Sequence, residues 1–338
     1  MRLWTKRLAR AALALALCPA PAAAWAQEQK QIIIALPAPT LTFSAPFLAE
    51  DAGLYKKEGL NVSHRMLVGV EAMNAVISGS AEFTIGTAPV FLRAAAHDQR
   101  MLAIANLIDK PLVEMVLRKD VYDGLHLAPS ASLVERAKLL KGKTIAIQGV
   151  GSIIHAWERV VAVRGGLDPE VDVRIAPMDP PAMLAALTTK SVDGFTTSLP
   201  FTTDAVLRGS AVMFASAAEG AIPDYVPFPY GLVVTQPKTC ATDRDKCVHV
   251  VRALSEATRM IRDEPDKALE ILKNRFKQMD PAVLAAAWKV VAASHAKDLR
   301  VTDALLATGE KVNIEAKLLD PKEKLASYDG LYTNQYLP

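Results

Sequence analysis

Twice along this chain a short β-branched run feeds a helical pattern through a polar, glycine- or proline-bearing turn, and the cycle then repeats. The first cycle is QIIIALPAPTLTFSAPFLAEDAGLYKKEGLN, residues 31–61. Ile32 to Ile34 reads as a buried strand ended by Pro37 and Pro39. A polar turn, Thr40 to Ser44, leads into a helix from Pro46 to Gly53. Ser44 is placed to cap its free N–H groups, an early proline costs no hydrogen bond, and Gly53 suits the helix end. Strand patterns at 62–68, 83–85 and 101–107 then alternate with helical ones at 71–78 and 89–96. This is the rhythm of a parallel sheet covered on both faces.

A second series opens after a strand-like segment at 113–118, a polar loop at 119–130 and a short helix at 132–140. Its strands are expected at 144–148, 171–176, 193–197 and 212–215, and its helices at 153–164, 182–189 and 201–208. From Ala221 the texture turns to proline and aromatic residues, with a strand at 232–235. A helical pattern at 249–272 with a break near Pro265 follows, and then helices at 281–294 and 303–313. The economical arrangement is two α/β lobes whose C-terminal helices return to the first. Linkers are expected near 113–119 and 224–235, with a ligand cleft between the lobes.

Residues 1–26 carry four basic residues and no acid, an apolar core from Ala11 to Leu17 and a small-x-small end at Ala24-Trp25-Ala26. That pattern predicts a secretory signal, and the apolar core is short of the roughly 20 residues that span a bilayer. Lipid anchoring through Cys18 is the alternative, disfavoured by the bulky Leu17 before it. Without this segment the balance is 35 basic against 36 acidic residues, which favours neither nucleic acid nor an acidic membrane as partner. Cys240 and Cys247 flank a charged segment. In an oxidising compartment they predict a small surface disulfide, the alternative being two free thiols.

No catalytic or metal constellation emerges. His64, His97, His126, His155, His249 and His295 are scattered, without a metal-binding helical motif, and there is no nucleophile elbow. Gly149-Val150-Gly151-Ser152 lacks the third glycine and the lysine of nucleotide loops. Glu50, Asp51 and Glu58 read as solvated charges. No cofactor is expected.

AGLYKKEGLNV, at 52–62, resembles a signature of the nitrate/sulfonate/taurine-type periplasmic substrate-binding proteins of ABC importers, within the NMT1/THI5-like superfamily. Further pieces are similar in order. These are Gly69 with the helix through Ser78-Gly79, AEFTIG at 81–86, LKGKTIA at 140–146 followed by Gly151-Ser152, Asp193-Gly194, and the helix ending in Arg262-Asp263-Glu264-Pro265. The resemblance implies an α/β, type II periplasmic-binding-protein fold of two lobes joined by two crossovers. Residues 27–115 plus 230–338 would form lobe 1 and residues 116–229 lobe 2.

The resemblance also implies ligand contacts at strand ends. By position these are Thr42, Phe43, Ser44, Gly69, Val70, Thr87 and Ala88 in lobe 1. In lobe 2 they are Gly151, Ser152, Ile153 and Ser198, with Pro229 and Tyr230 near the return crossover. Thr42 and Ser44 lie beside a helix start, so ligand contact competes with capping; Phe43 either stacks on a flat ligand or seals the loop. Arg65, Arg93 and Arg118 are candidate cations for an anion, with Arg65 and Arg93 expected near the surface. The implied function is a periplasmic, monomeric, non-enzymatic receptor for a small organic or anionic molecule, partnered by a membrane ABC permease. The alternatives are a periplasmic sensor for a membrane signalling receptor and a pyrimidine-synthesis enzyme of the same fold, for which His64 or His155 would matter.

Overall fold

The computed structural model describes residues 30–128 and 130–338. The expected signal segment and Cys18 lie outside the described residues.

The first β-branched run becomes β1 (Lys30–Leu36), with Ile32 and Ile34 fully buried. A 3-10 turn, Leu41–Phe43, delivers the chain directly into α1 (Ser44–Asp51). This changes the role expected for Ser44. Phe43 holds the cap position, and Ser44 is the first helical residue, its hydroxyl donating to the Leu41 carbonyl. The preceding turn already supplies backbone acceptors to the helix start, so no side-chain cap is needed. Gly53 stands just past the helix end at φ 70°, a conformation that suits glycine.

There follow α2 (Leu54–Lys57), β2 (Leu60–Met66), α3 (Glu71–Ser78), β3 (Phe83–Gly86), α4 (Ala88–Ala96) and β4 (Leu102–Asn106). The second series is β5 (Glu114–Arg118), α5 (Lys119–Asp123), α6 (Leu133–Ala137), β6 (Thr144–Ile147) and α7 (Ile153–Arg164). It continues with β7 (Arg174–Pro177), α8 (Pro180–Thr188), β8 (Gly194–Thr197), α9 (Phe201–Leu207) and β9 (Ala211–Ser216). The chain ends with β10 (Leu232–Thr235), α10 (Pro237–Thr242), α11 (Arg244–Asp263), α12 (Pro265–Leu272), α13 (Pro281–Ala292) and α14 (Asp303–Glu315).

The strands form two five-stranded sheets, ordered β2-β1-β3-β10-β4 and β7-β6-β8-β5-β9. In each, one inserted strand runs antiparallel to both neighbours: β10 in the first, β5 in the second. The other recorded pairings are parallel. The two lobes therefore share one plan, the type II periplasmic-binding-protein fold. The segment expected as the first linker is instead β5, an inner strand of the second sheet; the crossing itself runs through 107–113. The expected loop after it begins with α5, held by an i,i+4 ion pair between Lys119 and Asp123.

The C-terminal helices do return to the first lobe, α11 packing on α1 and α14 on α4. They also reach the second: α14 touches α7 and α13 touches α9. The α14 contact is polar. Arg159 of α7 donates to the Ala316 carbonyl, and Arg164 pairs with Glu315 at 2.5 Å. No helix among the described residues is long and apolar enough to cross a membrane.

Cys240 on α10 and Cys247 on α11 are bonded as expected, but not at the surface: the two helices pack together and bury both in the core. Closing a loop this short, seven residues apart in sequence, removes unfolded-chain entropy worth about 2–3 kcal/mol. Replacing both cysteines with serine should lower the unfolding free energy by at least that amount in a urea titration. An unchanged midpoint would show that the bond contributes nothing to stability.

Candidate functional site

Parallel strands end where backbone turns and helix starts gather, and in both lobes those ends face one another. The turn after β1 brings Thr42 and Phe43, the turn after β2 brings Gly69, and the turn after β3 brings Thr87. The second lobe answers with Ser152 and Ile153 at the start of α7, and Ser198 after β8. Tyr230, at the end of the second crossing, closes one side. Together they line a cavity of about 60 Å³ between the lobes. The lobes touch beside it. A Cβ placed on Gly69 would stand 3.7 Å from the Ser152 side chain, and one on Gly151 3.8 Å from Val70.

The walls are largely apolar, with Met73, Ile85, Val90 and Ile154 added to the expected residues. Polar groups are few and distinct. The Thr42 and Thr87 hydroxyl oxygens are buried without a hydrogen-bond partner, a costly arrangement unless something else supplies the bond. Ser152 caps α7, accepting from the His155 N–H at 3.3 Å and donating to the Gly149 carbonyl at 2.7 Å. The Tyr230 hydroxyl donates to the Leu112 carbonyl at 3.3 Å, and burial raises its pKa well above the usual value. Gln148, which the sequence reading did not single out, also lines the cavity. Among the described residues no charged side chain does.

Five expected contacts stand off this wall, Pro229 among them, its carbonyl accepting the Ala88 N–H at 3.0 Å. Ser44 is fully buried behind it, with its hydroxyl committed to Leu41. Ala88 is buried at the start of α4, where Gly309 of α14 comes so close that an added Cβ would lie 2.5 Å from Ala88 Cβ. Val70 faces a neighbouring cavity, and Gly151 offers its carbonyl to Arg93.

Arg93 is not the surface residue expected. It is half-buried on α4, donating both to Gly151 of the opposite lobe and to the Asn313 side chain of α14. Asn313 in turn donates to the Pro89 carbonyl at 2.9 Å. Burial brings the Arg93 pKa down to about 10, which leaves it charged at neutral pH. It lines the neighbouring cavity, which shares Met73 and Val90 with the first. The sequence could not foresee this, because the covering helix lies some 220 residues downstream. Arg65 is exposed, and Arg118 pairs with Asp120 at 2.5 Å, so neither lines the cavity.

His155 and His64, the two histidines that a pyrimidine-synthesis reading would need, have structural places. His155 accepts the Gly151 N–H at Nδ1, 3.1 Å away, which fixes the 149–152 turn. Burial, with Arg159 next, pushes its pKa down to about 4, so it stays neutral and able to accept. His64, on β2, lies between Phe47 and Tyr55 with Glu50 at 3.1 Å; burial lowers its pKa. No cluster of three or more His, Cys, Asp or Glu side chains is placed to hold a metal among the described residues.

A family profile described as NMT1-like family matches residues 26–274. No curated protein sequence matches. Among solved structures, the chain is similar to a protein from Bordetella bronchiseptica RB50, at 21% identity over 91% of this chain and 96% of that one, TM-score 0.75. It is also similar to the alkanesulfonate-binding protein SsuA from Xanthomonas axonopodis pv. citri bound to MOPS, at 19% identity over 88% and 96%, TM-score 0.68. The periplasmic nitrate-binding protein NrtA from Synechocystis PCC 6803 matches at 12% identity over 91% and 87%, TM-score 0.66. At these identities the likeness is one of fold.

Proposed function

The chain belongs to the NMT1-like family, and from that premise we propose that it is an exported solute receptor for an ABC importer. A small molecule enters the cleft, the lobes close over it, and the closed form is what a membrane permease recognises. The observation that carries this reading is the pair of buried, unpartnered hydroxyls, Thr42 and Thr87, at a cavity completed by the opposite lobe. Left without a ligand they cost stability; with one they supply hydrogen bonds that hold it. The relatives named for alkanesulfonate and nitrate give the size range for a first screen.

The test is native mass spectrometry of the chain purified from periplasm, with a thermal-shift screen of small organic and inorganic anions, amides and vitamins. Thr42→Val together with Thr87→Val sharpens it, since valine keeps the shape and removes both oxygens. The double variant should melt no lower than wild type, yet bind the molecule found by the screen at least tenfold more weakly. Equal affinity in the two proteins would remove these hydroxyls from the site.

A further inference from the structure

We infer that Gln148 selects the ligand, donating its side-chain N–H to an acceptor oxygen on a molecule with an apolar body. The inference rests on reading the cavity as a solute site. Gln148 is built into place by the second sheet. The parallel register of β6 and β8 sets Ile147 opposite Thr196, so one residue further Gln148 stands beside Thr197. The Thr197 hydroxyl, on a fully buried residue, donates to Gln148 Oε1 at 2.6 Å. That bond engages the acceptor end of the amide and leaves Nε2, which has no protein acceptor among the described residues, for the cavity that Gln148 lines.

The consequence is one of polarity. A hydroxyl such as Thr42 or Thr87 can give or take a hydrogen bond, but Nε2 of an amide only gives. The other fixed groups agree in sign. Ile153 and Ile154 begin α7 on the cavity wall, where first-turn N–H groups lack intrahelical acceptors and the helix end is partly positive. Arg93 adds a positive charge against the carbonyl of the same turn, at Gly151. An oxygen lone pair placed at this end of the cavity finds donors, whereas an ammonium group there meets the Nε2 donor and the partly positive helix start and must turn to the hydroxyls across the cavity. Carbonyl, carboxylate and sulfonate oxygens share that chemistry. Phe43 and Val90 supply the apolar walls for the rest of the molecule.

The test uses two matched series on the full mature chain: benzoate, benzenesulfonate, benzamide and benzylamine, and their butyl counterparts. Melting temperature and calorimetric affinity are the readouts. At least one oxygen-headed compound should raise the melting temperature and neither amine should; the carboxylate, sulfonate and amide arms tell which oxygen is preferred. Gln148→Glu keeps an acceptor for Thr197 but turns an oxygen toward the cavity, and should weaken the bound compound at least tenfold. Gln148→Met, which cannot donate, should weaken it too and covers the case in which the first variant fails to fold. Tighter binding of an amine, or wild-type affinity in a folded Gln148 variant, overturns the assignment. If the Thr42→Val, Thr87→Val protein loses the compound while Gln148 variants keep it, the cavity reading stands and Gln148 falls. If wild type binds none of the probes and carries no co-purified molecule, both readings fall.

Discussion

Glu158→Met should stabilise the protein at pH 8 by about 4 kcal/mol and flatten its pH dependence above neutrality. Glu158 lies on α7, fully buried, with neither carboxylate oxygen hydrogen-bonded. Burial pushes its pKa up to about 8, outweighing the neighbouring Arg159 charge, while Glu170 raises it further. The ordinary value is 4.5. Between those two values the folded chain keeps a proton that the unfolded chain releases. Stability from this group is fully present below the ordinary value and is lost as pH rises toward 8, by about 1.4 kcal/mol per pH unit.

The buried histidines work the other way. His155 and His295 have pKa values pushed down to about 4, chiefly by burial, from 6.5. Their contribution is present above 6.5 and is lost as pH falls through that window. Glu114, also raised by burial, acts in the same direction as Glu158. The wild-type curve should therefore crest near pH 6.5, at the ordinary histidine value, and decline on the alkaline side. In the methionine variant the alkaline decline should largely vanish. Urea unfolding at several pH values across this range decides it, and an alkaline slope identical in both proteins would sink the argument.

The second large effect belongs to Gly194→Ala, which should cost about 3 kcal/mol or more. Gly194 opens β8, between β6 and β5. A Cβ there would lie 2.3 Å from the Val116 carbonyl oxygen and 2.6 Å from the Leu117 side chain. The oxygen belongs to the backbone of β5, so it cannot retreat without disturbing the β5–β8 ladder. Because β8 also ends beside Ser198 and Thr197, ligand affinity should fall along with stability. Gly149→Ala is the control, since an added Cβ there meets nothing within 4 Å and the backbone needs no positive φ. If both variants unfold at the same urea concentration, the crowding at Gly194 is relieved at no cost.

What the sequence disclosed followed the range of the interactions. The runs that became β1, β6 and β10 were legible because β-branched residues cluster within a few positions. α7 was read with its full bounds, since Ser152 before it and Gly165 after it mark both ends locally. The disulfide was legible because its cysteines are close in sequence. β5 was readable as a strand, but nothing local says that it belongs in the middle of the other sheet. Gln148 passed as an ordinary strand end, because its partner Thr197 is set by strand register across 49 residues. Arg93 passed as surface because the residues that cover it come from the far end of the chain. Of the expected contacts, Thr42, Gly69, Thr87, Ser152 and Ser198 reach the cavity wall from strand ends, whereas the turn residues Val70 and Gly151 face the neighbouring cavity and Arg93, and Ser44 and Ala88 are committed to a helix start and to packing.

The exchange of strands between the sheets has a consequence for the order in which the chain is made. The second sheet is encoded without interruption, from β5 to β9, and has all its strands by residue 216. The first waits for β10, which pairs with both β3 and β4 and begins only at Leu232. Until then, a nascent or truncated chain carries two bare strand edges in the half that was synthesised first. Such edges recruit other chains, and their repair depends on a late, long-range contact of the kind that slows folding. A chain that stops before Leu232 should thus hold a complete second sheet beside an open, adhesive first one.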